Sequence, residues 1–243
     1  MINKMSLSKE QSIVFKAYKE NKNVFITGPG GTGKTFLISH IYNDAILNNK
    51  RISVTALTGI ASILLNCNAT TIHSWAGIGL CKLHEDIIVS RIMSSKFKKH
   101  NWLNTDILIV DEISMMSKKV FETLDNIGRT ILNPDKPFGG IQIIFSGDFF
   151  QLPPVGDDEF CFESELFDNT FDTKVQLIYN FRQNDINYKK ILNNLRIGKI
   201  SLKTINMLSN KIMKHEEIIN LKNVTRLLPT KKQIEKINNF ELD

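Results

Sequence analysis

The sequence predicts an α/β fold in which helices flank a parallel β-sheet. Short β-branched runs, almost continuously apolar and ending in polar or glycine residues, alternate with segments of helical spacing. Such runs are typical of strands buried on both faces, and strand–helix alternation favours parallel pairing. The predicted strands are 24–27, 52–55, 107–111 and 141–146, and the predicted helices between them are 34–48, 58–65 and 117–132.

Composition limits the classes of protein that fit this chain. Its 243 residues are 42% hydrophobic and 23% charged, which is ordinary for a soluble globular protein. No apolar run approaches the ~20 residues that span a bilayer, so we expect no membrane partner and an intracellular location. The net charge of +6 fits a polyanionic partner, or a lysine-rich surface that only maintains solubility. The three cysteines are far apart and predict neither a metal site nor a disulfide framework.

The element pattern predicts two domains. We expect residues 1–170 to form the first, interrupted by a basic, partly helical insertion at 77–102. A second α/β segment begins near Phe171, with predicted strands at 175–178 and 224–228 and predicted helices at 187–197, 202–214 and from 231 onward. Because this segment is shorter than the ~100 residues typical of a domain, residues 171–243 are expected to be an incomplete second domain.

The clearest motif is a P-loop between the first predicted strand and the first long helix. Its residues are Gly28, Pro29, Gly30, Gly31, Thr32, Gly33, Lys34 and Thr35. Glycines let backbone N–H groups turn toward phosphates, and the amino end of the next helix adds partial positive charge. We expect ATP and Mg²⁺ as ligands, with Lys34 reaching the β- and γ-phosphates and the Thr35 hydroxyl ligating the metal.

An acidic pair, Asp111 and Glu112, follows a predicted strand downstream of the P-loop. Asp111 is the expected Mg²⁺ ligand, and Glu112 is the expected group that polarises the attacking water. An Asp-Glu pair after a strand is otherwise a common helix cap. The combination with a P-loop favours the catalytic interpretation.

Two glutamines leave alternatives open. Gln151 follows the predicted strand 141–146 and has both a donor and an acceptor, so it could sense the γ-phosphate and the water together, or serve only in the loop structure. Gln11 could pair with an adenine edge. Because Ser8 precedes it by three residues, the two also match a capping box at the start of a helix.

Several motifs in order give the chain a family resemblance. They are residues 7–11, 28–35, 55–61, 70–80, 109–116, 147–155 and 180–183, together with a signature spanning 124–140. With these motifs the chain resembles the Pif-one helicases, the 5′-to-3′ superfamily-one DNA helicases related to RecD. The resemblance implies a RecA-like ATP-binding domain at 1–170, a partial second RecA-like domain, and ATP-driven translocation on single-stranded DNA. It also implies roles in DNA repair, recombination and telomere maintenance, in a nucleus, mitochondrion or viral factory.

The resemblance also implies roles for individual side chains. Gln11 would bind adenine, and Gln151 would couple the γ-phosphate to DNA-dependent motion. Arg182, in the motif Asn180-Phe181-Arg182-Gln183, would act as an arginine finger that reaches across from the second domain.

The implied DNA contacts are Thr58, Gly59, His73, Pro153 and Pro154. Thr58 heads a helix whose free N–H groups suit a phosphate. His73 could donate to a phosphate or stack on a base, but a histidine satisfied within the core is an open alternative. The insertion 77–102 would be a wedge that meets a fork or duplex junction, or its lysines form a solvated face.

The chain also departs from the family pattern. It has no counterpart of the family's Thr-Ile-His-Lys-x-Gln-Gly motif, of its Tyr-Val-Ala-x-Ser-Arg motif, or of its SH3-like insertion. We therefore expect a truncated helicase, or one half of a split helicase whose second polypeptide supplies the rest. The alternative function is an ATP-dependent module that binds single-stranded DNA with little hydrolysis of its own.

Overall fold

The computed structural model describes residues 6–213 and 224–242, and the chain divides into two compact units, Met1–Gly198 and Lys199–Asp243. The first unit contains six strands among its described residues: β1 (Val24–Thr27), β2 (Ile52–Ala56), β3 (Thr70–Thr71), β4 (Ile107–Asp111), β5 (Gln142–Gly147) and β6 (Thr173–Gln176). Its helices are α1 (Lys9–Lys19), α2 (Lys34–Leu47), α3 (Gly59–Leu64), α4 (Ile72–Ala76), α5 (Glu85–Met93), α6 (Lys96–Leu103), α7 (Lys118–Ile131), α8 (Glu165–Thr170) and α9 (Ile186–Arg196).

The six strands form one parallel sheet in the order β3-β2-β4-β5-β1-β6. Every residue of β4 and β5 is buried, as expected for central strands covered on both faces. The α/β prediction is confirmed, and the four strands predicted ahead of Phe171 are β1, β2, β4 and β5. Among the described residues, no helix is long and apolar enough to cross a membrane.

The hydrophobic core has two parts, which the alternation of side chains along each strand separates onto opposite faces of the sheet. On β4, Leu108 and Val110 belong to one cluster, while Ile107 and Ile109 belong to the other. Helices α1 and α2 contribute to the second cluster, and α7 and the insertion contribute to the first. Both faces are therefore covered, and ligands can approach the sheet only at its edges or strand ends.

The insertion 77–102 forms α5 and most of α6, and its last residue anchors it to the core. Trp102 is fully buried, and the centroid of its ring is 4.7 Å from that of Trp75. Its indole N–H donates to the Ala76 carbonyl at 3.3 Å. Trp75 is therefore a core residue. The opposite face of α6 is exposed, since Phe97 is 90% accessible to solvent.

The signature segment 124–140 has a structural role in this chain. Asp125 is buried on α7 and accepts the backbone N–H of Phe138 at 2.7 Å and the Nε–H of Arg129 at 2.6 Å. Gly128, one turn along α7, lies against the Phe138 backbone, because a Cβ at that position would stand 2.5 Å from the Phe138 carbonyl carbon. These contacts fix the loop that leads into β5.

The domain boundary predicted near Phe171 stays a prediction, while the compact units of the structure divide after Gly198. β6 pairs with β1 in the first sheet, and the first unit continues through α9 to Gly198. The second unit contains α10 (Leu202–Ser209) and a helix at Lys231–Leu242 among its described residues. The strand predicted at 224–228 is wrong, since these residues form no regular structure and Leu227 is 92% exposed. The predicted helix 202–214 ends early, at Ser209, and its last residue lies outside the described part.

Candidate active site

The candidate site lies where three neighbouring strands end. β4, β5 and β1 are adjacent and parallel, so the residues that follow them meet at one edge of the sheet. The P-loop follows Thr27 at the end of β1, Asp148 follows Gly147 at the end of β5, and Asp111 is the last residue of β4. The segments that sequence patterns selected separately are therefore brought together by the topology.

The P-loop has the backbone conformation that its glycines permit. Gly31 and Gly33 have φ values of +86° and +84°, in the left-handed region that side chains disfavour. A Cβ on Gly31 would stand 2.8 Å from the Cβ of Arg182, and one on Gly33 would stand 2.6 Å from the Gln11 amide nitrogen. The Thr32 hydroxyl donates to the Pro29 carbonyl at 2.9 Å and closes the turn from inside. Thr35 lies exposed in the first turn of α2.

Lys34 turns its ammonium back into the P-loop. Its Nζ donates to the Gly28 carbonyl at 2.7 Å and to the Pro29 carbonyl at 3.3 Å. Burial lowers the pKa of Lys34, while the negative charges of Asp111, Asp148 and Glu112 act in the opposite direction. The lysine therefore shares an electrostatic environment with the carboxylates at the ends of β4 and β5.

The acidic pair has one deeply buried and one partly exposed carboxylate. Asp111 is 5% exposed, and burial raises its pKa more than the nearby Ser146 hydroxyl and the Glu112 backbone N–H lower it. Its Oδ1 has no hydrogen-bond partner within the described residues. Glu112 is half-buried with φ +58°, an uncommon left-handed conformation for a residue other than glycine. Burial, and then the charge of Asp111, raise the pKa of Glu112. A buried carboxylate oxygen without a protein donor fits a Mg²⁺ ligand, because a cation would satisfy it.

Asp148 and Gln151 belong to a hydrogen-bond network with Arg196, a residue that lies outside the sequence motifs. The Asp148 carboxylate accepts the Gln151 amide at 3.2 Å and two N–H groups of Arg196, at 2.5 and 2.8 Å. Burial alone would raise the pKa of Asp148, but these donors outweigh it and lower the pKa. Arg196 is 48 residues away in sequence and ends a helix without a recognisable motif, so local sequence gave no signal for it.

The segment 180–183 lies directly on the P-loop. Asn180 donates its side-chain amide to the Gly30 carbonyl at 2.9 Å, and the Phe181 backbone N–H donates to the Gly31 carbonyl at 2.8 Å. Arg182 follows with an exposed side chain. The expectation that Arg182 reaches across from a second domain stays a prediction, and Arg182 lies in the first compact unit, where β6 leads directly into this segment.

Gln11 lies behind the P-loop and caps its own helix. Its Oε1 accepts the Ser8 backbone N–H at 2.9 Å, and the Ser8 hydroxyl accepts the Gln11 N–H at 3.2 Å, so the capping box is present. The remaining amide nitrogen faces the Gly33 carbonyl at 3.5 Å. The aromatic ring of Phe181 lies 3.5 Å from where a Cβ of Gly33 would stand, on the same part of the loop. The position of Phe181 beside Gly33 was not predicted from the sequence.

A cleft of about 1000 Å³ opens beside these groups. P-loop residues, the end of β5, the segment 176–183 and α9 line it, including Pro29, Gly30, Asp148, Gln151, Arg182 and Arg196. Its size suits a ligand larger than a single phosphate group.

The candidate DNA residues lie along the same end of the sheet, beyond β2, β3 and β5. Thr58 caps α3 by accepting the Ala61 N–H at 3.2 Å, and Gly59 is exposed with open space around it. His73 is half-buried in α4, and burial lowers its pKa. In the loop after β5, Pro153 is exposed whereas Pro154 is buried.

Comparisons with known proteins agree with this geometry. The PIF1-like helicase family matches residues 6–204. The ATP-dependent DNA helicase PIF1 of Emericella nidulans is 36% identical over 247 residues, covering 96% of this chain and 32% of that protein. The crystal structure of Pif1 helicase from Candida albicans matches with a TM-score of 0.87 and 33% identity, covering 98% of this chain and 54% of that one. Pif1 helicase from Bacteroides in complex with ADP-AlF3 and ssDNA matches with a TM-score of 0.80 and 30% identity, covering 98% of this chain and 57% of that one.

The parallel sheet, with a P-loop after β1 and a carboxylate pair at the end of β4, places the first unit among the RecA-like P-loop folds. The family match extends over more than half of the sequence, and the chain belongs to the PIF1-like helicase family. It spans about a third of the curated fungal relative and somewhat more than half of each crystallised helicase.

Proposed function

We propose that this chain binds ATP with Mg²⁺ at the end of β1, β5 and β4 and hydrolyses the ATP to move 5′ to 3′ along single-stranded DNA. The observation that carries the proposal is the arrangement of Lys34, Asp111 and Glu112. Their charges interact at one strand-end edge, and a buried Asp111 oxygen lacks a partner among the described residues. The Bacteroides relative was crystallised with ADP-AlF3 and ssDNA, which supports both ligands.

Each residue has a defined part in the proposed hydrolysis. Lys34 leaves the Gly28 and Pro29 carbonyls and donates to the β- and γ-phosphates. Thr35 and Asp111 hold Mg²⁺, which neutralises charge on the phosphate oxygens when it is bound. Glu112 accepts a proton from the attacking water, and its raised pKa makes it a stronger base than an ordinary carboxylate.

Three further residues complete the nucleotide site in this proposal. Gln151 is held beside the γ-phosphate position by Asp148, and Arg182 supplies positive charge to the transferred phosphoryl group. Gln11 binds the adenine edge with the amide nitrogen that now faces the Gly33 carbonyl at the limit of hydrogen-bond distance.

Single-stranded DNA crosses the same end of the sheet in this proposal. The Thr58–Gly59 turn, His73 and the Pro153–Pro154 loop lie after β2, β3 and β5, so one strand can pass over all three. Because the pKa of His73 is lowered, we expect a neutral imidazole that donates a hydrogen bond or stacks on a base. The insertion 77–102 is the proposed wedge at fork or duplex junctions.

The test is ATP turnover with and without a single-stranded oligonucleotide, on the wild-type chain and on Glu112→Gln. We expect turnover that rises with DNA and is lost in the variant, while a fluorescent nucleotide analogue still binds. Turnover that ignores both DNA and Glu112→Gln would favour the alternative, an ATP-dependent module or half of a split helicase that holds DNA with little hydrolysis. A strand-displacement assay then shows whether this chain unwinds DNA without a second polypeptide.

A further inference from the structure

Arg196, the last residue of α9, makes the most buried ion pair of the proposed site. Its Nε and one terminal nitrogen each donate to a different oxygen of Asp148, at 2.8 and 2.5 Å. The side chain of Arg196 is 15% exposed and that of Asp148 is 1% exposed. Two parallel bonds to one carboxylate fix its rotation as well as its position, which a single contact does not do.

The carboxylate that Arg196 fixes is the group that orients Gln151. The Gln151 amide donates to Asp148 Oδ2 at 3.2 Å, and the Phe150 backbone N–H donates to Oδ1 at 3.3 Å. The Arg196 guanidinium also lies 4.4 Å from the centroid of the Phe150 ring, so it supports the residue just before Gln151. Arg196 is thus linked to Gln151 through Asp148 and through Phe150, and no direct hydrogen bond joins Arg196 and Gln151 among the described residues.

The helix that carries Arg196 is tied to the P-loop at its other end. Lys189 in α9 donates to the Asn180 carbonyl at 3.3 Å, and the Asn180 side chain donates to the Gly30 carbonyl at 2.9 Å. A regular helix of 11 residues therefore connects the P-loop side of the site to the end of β5. A rigid element with both ends anchored holds the groups at those ends at a constant separation.

We propose that Arg196 is a positioning residue for ATP hydrolysis, which clamps Asp148 and through it holds the Gln151 amide beside the reacting phosphate. This inference rests on the proposed function and adds to it a residue outside the recognised motifs. Arginine suits this role because its planar guanidinium bonds both carboxylate oxygens at once, whereas a lysine at the same place is a point charge with one contact. Misplacement of a catalytic group by about 1 Å costs up to ~10²-fold in rate.

The experiment measures kcat and KM for ATP at saturating single-stranded DNA, on wild type, Arg196→Ala, Gln151→Ala and the double variant. We expect Arg196→Ala to lower kcat at least ~10-fold with little change in KM, because positioning acts on the chemical step. If Arg196 acts through Gln151, its removal should cost nothing further in the Gln151→Ala background. Arg196→Lys should lie between wild type and Arg196→Ala.

Lys199→Ala is the matched control, because it removes one exposed positive charge just after the same helix and does not line the cleft. A kcat for Arg196→Ala equal to that of Lys199→Ala would overturn the inference, and so would losses that simply multiply in the double variant. If circular dichroism shows that Arg196→Ala does not fold, Arg196→Lys replaces it in the same double-mutant cycle with Gln151→Ala. If the wild type is active and either of these two results is found, only the role of Arg196 is rejected and the proposed hydrolysis stands. An inactive wild type rejects the proposed hydrolysis, and this inference with it.

Discussion

At the scale of single residues, Lys34 links the P-loop to the carboxylates. Its ammonium is hydrogen-bonded to two loop carbonyls and surrounded by the charges of Asp111, Glu112 and Asp148. The lysine is thus partly desolvated and already directed into the loop, and in the proposed mechanism it exchanges these two carbonyl bonds for bonds to phosphate oxygens.

Lys34→Ala should reduce ATP turnover by roughly 10²–10³-fold or more, since it removes the cationic donor that the proposal assigns to the β- and γ-phosphates. Phosphate release at saturating DNA measures the effect, and thermal unfolding shows whether the fold is kept. Lys50→Ala is the control, because Lys50 lies near the amino ends of the strands, where it donates to Asn21. Turnover near the wild-type value in Lys34→Ala would remove Lys34 from the mechanism.

Glu112 should determine the acid limb of the pH–rate profile. Burial and then Asp111 raise its pKa above the usual glutamate value. A general base must be deprotonated, so kcat should fall as the pH drops through this raised pKa, at a higher pH than an ordinary glutamate gives. The profile is recorded only where circular dichroism shows a folded chain. A limb at or below about pH 4.3, the value for an unperturbed glutamate, would contradict this.

At the scale of elements, the junction of α7 with the loop before β5 supports the strand that Asp148 follows. Gly128 has no room for a side chain, because the Phe138 backbone occupies that space. Asp125 satisfies the buried Phe138 N–H, so the loop depends on both polar and steric fit.

Gly128→Ala should destabilise the fold by about 1–3 kcal/mol, the usual cost of forcing an extra carbon into a packed junction. Chemical denaturation measures the free energy of unfolding. Gly59→Ala is the matched control, since nothing lies within 4 Å of the added carbon there, and we expect almost no change in stability. Equal stability of the two variants would show that α7 and the loop do not pack as closely as described.

The sequence was most informative about the central elements. β4 and β5 are buried on both faces and therefore appear as nearly continuous apolar runs, and the predicted strand ends differ from the structure by no more than one residue. β6 was harder to place because it is an edge strand whose residues alternate between half-buried and exposed. β6 pairs with β1 in the first sheet, and the local sequence pattern contains no information about that pairing.

Features of the site that depend on local backbone conformation could be predicted from a motif. Features that depend on a contact between residues far apart in sequence could not. The P-loop conformation follows from its glycines, and the Asp111–Glu112 pair from the strand before it. The ion pair of Asp148 with Arg196 joins residues 48 apart, and no spacing rule connects them. The predicted strand at 224–228 failed because its apolar residues remain exposed and have no buried face.

At the scale of the whole molecule, the net charge of +6 bears on the proposed DNA partner. Binding that neutralises phosphates releases counterions, so the logarithm of the affinity for a single-stranded oligonucleotide should fall linearly with the logarithm of salt concentration. Fluorescence anisotropy at several salt concentrations measures the slope. Affinity that does not change with salt would show that the strand does not cross a basic surface.

The most direct test of the nucleotide site is a crystal structure of the chain with ADP, Mg²⁺ and aluminium fluoride. We expect the fluoride group between Lys34 and Glu112, with the metal bound by Thr35 and Asp111. Lys34 should have left the Gly28 carbonyl that it now contacts at 2.7 Å. A nucleotide bound elsewhere, with Lys34 still on that carbonyl and Asp111 away from the metal, would contradict the convergence of β1, β5 and β4 on one triphosphate.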